Sequence, residues 1–187
     1  MKLLLIILSV LSSFLTNLET KILQSDFTVT VSEEVNAPMN YPGTLTMQGS
    51  SFRLSMFGIE AAYDGKTMYM YNADVDELTL SNPTEQELLE TNPFLYARAL
   101  VDVCNIAERA TQDGKQTIIT LTPKDQSIGI NRFTLHVRNE DLMPLSAEIK
   151  EGKKISSLKM KNPQFISGKQ KYEITPDKNT YINDMRF

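Results

Sequence analysis

The chain has no tryptophan, one cysteine and one histidine among 187 residues. With Cys104 alone, neither an internal disulfide nor a thiolate zinc cage can form. His136, the sole imidazole, falls on the polar side of its predicted strand, where a solvated role suits it. Cys104 follows a predicted helix beside Val103 and Ile106, a setting typical of a small buried hydrophobe. Nothing in the pattern brings the two together as a nucleophile–base pair. Motifs of the P-loop, dinucleotide-turn, zincin and nucleophile-elbow types are absent. The acidic pairs Glu33/Glu34 and Asp74/Asp76 fall on strand ends and turns, where they serve solubility. The expectation is a protein without catalytic residues, metal or cofactor. A net charge of −4 and the lack of a basic stripe with interleaved aromatics argue against a nucleic-acid partner. Lys150, Lys153, Lys154, Lys159 and Lys161 lie mostly at alternate positions, as on a solvated strand face.

The longest apolar run, Leu3 to Leu11, falls short of the ~20 residues that span a bilayer. Behind Met1-Lys2 it has the form of a secretory leader. No small-x-small triplet marks the cleavage point, and Ser12-Ser13 is the best site. We therefore read residues 1–13 as a signal peptide and 14–187 as one domain. No cysteine follows the run, so the protein is expected to be exported to the periplasm, soluble and not itself lipidated. The alternative at this point is a buried N-terminal helix of a cytosolic protein. Phe14, Leu15, Leu18 and Ile22 recur at helical spacing and predict a short amphipathic helix.

Alternation with period two dominates the remainder of the chain. Strands are predicted over Asp26–Val35, Thr44–Gln48, Phe52–Met56, Ile59–Tyr63, Thr67–Tyr71 and Glu77–Ser81. Past the centre they run over Asn105–Ala110, Gln116–Leu121, Asn131–Arg138, Leu145–Lys150, Ile155–Lys161 and Tyr172–Thr175. Turn residues such as Gly49-Ser50-Ser51, Asp64-Gly65-Lys66, Asp113-Gly114 and Glu151-Gly152-Lys153 separate them. Pro38 and Pro42-Gly43 are read as breaking the first strand from the second. Two short helices interrupt the series, one opened by Asn82-Pro83 with Glu85 as capping-box partner, the other by Asn92-Pro93.

A sheet of about ten antiparallel strands twists and curls. The helices are the elements available to cover its hollow. The fold class is thus mainly β, an incomplete antiparallel half-barrel covered by short helices. The hollow is expected to be greasy. Phe52, Leu54 and Met56 share one face of a strand, Met68 and Met70 one face of another, and methionine adapts to flexible apolar ligands. Tyr69 and Tyr71 are apolar too, so which face of that strand points inward stays open. Phe94 and Leu95 reach in from the central helices, with Phe14 and Leu18 beside them from the N-terminal lid helix. A plain core of the same composition is the competing reading.

Several stretches, in order, resemble the LolA-like periplasmic carriers of outer-membrane lipoproteins, especially those of Bacteroidetes-type bacteria. They are Asp64-Gly65-Lys66-Thr67 with Tyr69 and Tyr71, Asn92-Pro93-Phe94, Leu121-Thr122-Pro123, Phe133-Thr134-Leu135, Thr175-Pro176, and Ile182-Asn183-Asp184-Met185-Arg186. The resemblance covers about Asp26 to Arg186. It implies a half-barrel chaperone that shuttles lipoproteins by burying their acyl chains. Its implied partners are an inner-membrane ABC lipoprotein transporter and an outer-membrane acceptor, with the carrier itself a monomer. Three departures stand out. The arginine that locks the lid in better-known members is missing at Gly49-Ser50-Ser51, Arg53 lying beyond it. The N-terminal helix is shorter, and Tyr69 stands where tryptophan is common. An envelope lipid-binding sensor or scaffold of the same fold is the alternative function.

Overall fold

The computed structural model describes residues 9–34 and 36–186. Helix α1 (Val10–Thr20) leads into β1 (Ile22–Glu33), β2 (Asn36–Gln48), β3 (Ser51–Met56), β4 (Ile59–Tyr63), β5 (Met68–Asn72) and β6 (Glu77–Ser81). Helices α2 (Glu85–Thr91) and α3 (Pro93–Leu100) come next. Then come β7 (Cys104–Ala110), β8 (Gln116–Pro123), β9 (Arg132–Arg138), β10 (Met143–Glu151), β11 (Lys154–Ile166) and β12 (Tyr181–Asp184). All twelve strands join one sheet in the order β12-β6-β5-β4-β3-β2-β1-β11-β10-β9-β8-β7. The two end strands, β12 and β7, do not pair, so the barrel is incomplete, as expected. Of the segment read as a leader, Met1 to Leu8 lies outside the described residues. Ser9 caps α1 through its side chain, and Leu11 is buried in the core.

Three elements differ from expectation, each for a physical reason. Pro38 and Pro42 do not break the chain; they lie within β2, which is continuous from Asn36 to Gln48. Strand β3 pairs with β2 only from Gly43 onward, so both prolines sit where β2 has β1 on one side and no strand on the other. A missing N–H costs nothing along such an edge. Helix α2 starts two residues later than read. The ladder of β6 runs to Ser81, residues 82–83 link it to the helix, and Thr84 and Glu87 form the capping box instead. The Thr84 amide donates to Glu87 at 2.7 Å. Lastly, Tyr172–Thr175 is not a strand. Its alternation buries Ile174 against Ala62, Leu78 and Leu80 on the convex face, and the last strand is β12, parallel to β6.

This convex packing settles the facing of β5. Tyr69 and Tyr71 pack with the cluster under the C-terminal tail, while Met68 belongs to the main core on the concave side. Beyond β12, Asp184 takes a two-pronged bond from Arg186, Nε to Oδ1 at 2.8 Å and Nη2 to Oδ2 at 2.5 Å. That guanidinium holds the Asp184 carboxyl down to about 2. A folded-state value below the unfolded ~3.9 contributes stability above pH ~4 and loses it as pH falls toward 2. We expect the amide resonances of β12 to shift between pH 4 and 2 more than those of β8, which carries no titratable side chain, read by NMR titration.

Candidate functional site: a lidded apolar groove

The concave face is built by register. Val29 lies opposite Leu158, Leu158 opposite Ala147, and Ala147 opposite Leu135. This apolar row crosses four strands on one face. Next to it, Phe27 lies opposite Gly43, and Gly43 opposite Met56. A Cβ on Gly43 would come within 2.4 Å of the Phe27 ring, so the glycine is what lets that ring lie across β2 and floor the hollow.

Three helices cover this face. Helix α1 buries Leu11, Phe14 and Leu18. At its start the amides of Val10 and Leu11 donate to Glu108 of β7 at 3.0 and 2.9 Å. At its end the Gly49 amide donates to the Leu18 carbonyl at 2.7 Å. The turn Gly49-Ser50-Ser51 is thus tied to α1 through its backbone. Helix α3 buries Phe94, Ala97 and Leu100. Phe94 meets Phe14 edge to face at 6.0 Å, and Arg98 forms an ion pair with Glu19 of α1. Asn92, buried at the corner between α2 and α3, accepts the Phe94 amide at 3.0 Å. Helix α2 differs: none of its residues is fully buried.

Between α2 and the sheet lies a groove of about 210 Å³. Its walls are Phe27 and Val29, Leu54 and Met56, Ala147 and Ile149, with Leu158, Ser156 and Ser157; Glu90, Thr91 and Pro93 form its roof. Two further openings flank α2, one bounded by Tyr96, Ile128 and Ile149, the other by Met68, Met70 and Ser81. Helix α2 therefore borders open space on several sides, with Leu88 half-buried against the core. The groove is smaller than the ~300–1,000 Å³ of ordinary ligand sites, and a long chain would need this helix to rise.

The structure divides the residues singled out from the sequence. Leu54 and Met56 line the groove. Met70 is exposed beside the third opening, with Met68 buried behind it. Phe52 of β3, Phe14 and Leu18 of α1 and Phe94 of α3 belong to the close-packed core, and Leu95 is half-buried against it. Val29, Ala147, Ile149 and Leu158 were not singled out. Their alternation is as clear as that of β3, but their place in the groove depends on β1 pairing with β11, which period-two patterning does not encode.

Cys104 lies opposite Pro123 of β8, whereas His136 lies opposite Ile118 of the same strand. The two are well separated along the sheet. Burial raises the Cys104 thiol above its ordinary pKa, partly countered by Lys124. Native protein should resist iodoacetamide at pH 8 and react once denatured, by mass spectrometry. Cys104→Ala and His136→Gln should both retain ligand binding.

Fold and site together define a class: an open antiparallel half-barrel whose hollow is roofed by helices over an apolar groove. No family model and no curated protein sequence matches the chain. Among solved structures, an uncharacterized conserved protein from Thermus thermophilus superposes with a TM-score of 0.62 at 12% identity, over 93% of this chain and 96% of that one. A LolA superfamily protein from Nitrosomonas europaea gives 0.44 at 12% identity, over 87% and 96%. The Mycobacterium tuberculosis lipoprotein LppX gives 0.49 at 14% identity, over 86% and 97%. The Thermus structure establishes a shared fold. That fold is the incomplete barrel under helices that the LolA-like resemblance implies.

Proposed function

We propose that this protein is an exported carrier that binds the acyl chains of lipoproteins and shuttles them across the periplasm from inner to outer membrane. The observation that carries the reading is the apolar groove beneath a flap, α2, with no fully buried side chain. Each methylene exposed to water costs ~0.8 kcal/mol, so free transit of acyl chains through an aqueous compartment is prohibitive. A carrier must bury them yet release them. A helix this short is marginal without packing, which suits a roof that opens. On this reading the protein acts as a monomeric binder without catalysis. It accepts cargo from an inner-membrane ABC transporter and yields it to an outer-membrane acceptor. The ordered motifs support a place near the Bacteroidetes-type carriers.

Native mass spectrometry of protein purified from its own periplasm tests this. Co-purified lipid or lipoprotein, together with release of lipoproteins from inner-membrane vesicles, is the expected result. Bound lipid without release points to the sensor or scaffold role. Absence of both overturns the reading. Fractionation with N-terminal sequencing tests export: an intact Met1, or anchoring that survives carbonate, counts against it. Processing at Ser12-Ser13 would remove Leu11 and the amides held by Glu108, leaving Phe14 and Leu18 to anchor the helix.

A further inference from the structure

Glu90 borders the groove and both openings beside it. Among the described residues, the other charged residues lining those spaces are Glu87 and Glu151, and no lysine or arginine lines any of the three. Two of the three carboxylates are committed. Glu87 closes the capping box with Thr84, and Glu151 lies 3.9 Å from Lys154. Glu90 accepts one bond, from Gln86 Nε2 at 3.1 Å, and among the described residues it has no cationic partner. The groove therefore combines apolar walls with an anionic rim whose charge is left unmatched.

The geometry points to a ligand class: amphiphiles whose head group is a protonated amine, with Glu90 reading the head while the groove takes the chain. This rests on the acyl-carrier reading and narrows it. A chain seated against Phe27, Leu54 and Leu158 brings its head to the rim, because the polar end stays in water. There a carboxylate beside apolar walls attracts an ammonium and repels a carboxylate, sulfate or phosphate. In an acylated polypeptide the amine nearest the chains is the terminal one. Its pKa of about 7.7–8.0 keeps it protonated at pH 7. The groove would thus favour a diacylated cysteinyl terminus with a free amine over the same terminus N-acylated. An aminolipid offers the same chemistry from another source.

Titration calorimetry with monomeric dodecyltrimethylammonium, dodecyl maltoside and dodecyl sulfate tests the head. A diacylated cysteinyl peptide with its amine free or acetylated distinguishes the source. Glu90 is exposed, so the effect is that of a surface charge pair, about fivefold per ligand. We expect the ammonium to bind about fivefold tighter than the neutral chain and the sulfate weaker than either. The free-amine peptide should bind about fivefold tighter than its acetylated form, and that preference should vanish above pH 9. Glu90→Gln should erase both preferences, the ammonium then binding no tighter than the maltoside and the free-amine peptide no tighter than its acetylated form. Preference among the peptides alone assigns Glu90 to the polypeptide terminus; preference among the dodecyl heads alone assigns it to aminolipids. Equal binding of all heads, tighter binding of the sulfate, or a preference that survives Glu90→Gln overturns the inference and leaves the carrier standing. If no member binds, the carrier reading falls and this one with it.

Discussion

Phe94→Ala is expected to destabilise the protein by about 3–5 kcal/mol, the usual cost of removing a buried aromatic ring and leaving its cavity. For a chain of this length each kcal/mol shifts the melting temperature by roughly 2–4 °C, so a fall of about 6–20 °C should be seen by calorimetry. Phe94 is 1% exposed. Its ring packs edge-on against Phe14, and its amide is fixed by Asn92. The ring therefore joins α1, α3 and the sheet at one point. Phe94→Glu should be worse, placing an unpaired carboxylate among apolar side chains. A shift below about 3 °C for Phe94→Ala would show that α1 and α3 rest loosely on the sheet and belong with the movable roof.

Met56→Glu should act in the opposite sense, on binding before stability. Met56 is half-buried and stands on the groove wall beside Leu54. In the empty protein the new carboxylate can turn to solvent through the groove mouth, so the melting temperature should drop by a few degrees at most, as for ordinary surface changes. With an acyl chain seated, the same carboxylate is desolvated against hydrocarbon, and that cost falls on the bound state alone. Affinity for a fluorescent fatty-acyl probe should fall at least tenfold, which by the ~1.4 kcal/mol per decade relation needs only a modest desolvation term. Unchanged affinity would place the chain elsewhere, and the opening beside Met68 and Met70 would be the next to test by Met70→Glu.

The legible part of the sequence is set by its two periodicities. Strand β6 is read at its observed bounds, and Asn92-Pro93 opens α3 as expected, because ladder alternation and a prolyl cap are local signals. Each half of the sheet is legible for the same reason, being a chain of neighbouring hairpins, whereas the β1–β11 seam that joins them is not. The start of α2 is not, because Asn82-x-x-Glu85 and Thr84-x-x-Glu87 are equally good caps and the end of a ladder decides between them. The candidate site is half legible. Leu54 and Met56 emerge from parity, but equal parity puts Phe52 with them, and Phe52 is fully buried in the core. Nothing local separates a wall from a floor when both alternate alike.

The position of β1 sets the order in which the molecule can form. It is the first strand of the chain yet lies in the middle of the sheet, between its neighbour β2 and the distant β11. Strands β1 to β6 and β7 to β11 each pair with the next strand in sequence, so each half can assemble by short closures. The seam that joins them, with Phe27 opposite Met160, must wait for β11, and long closures are what make all-β chains fold over milliseconds to seconds. Contacts made after the rate-limiting barrier govern escape from the native state. Val29→Ala and Leu158→Ala should accordingly quicken unfolding and leave the refolding rate nearly unchanged, whereas Leu121→Ala, inside the second half, should slow refolding. A newly made chain would thus keep its halves apart until the last strands are available, and the lifetime of the folded protein would be set at one seam.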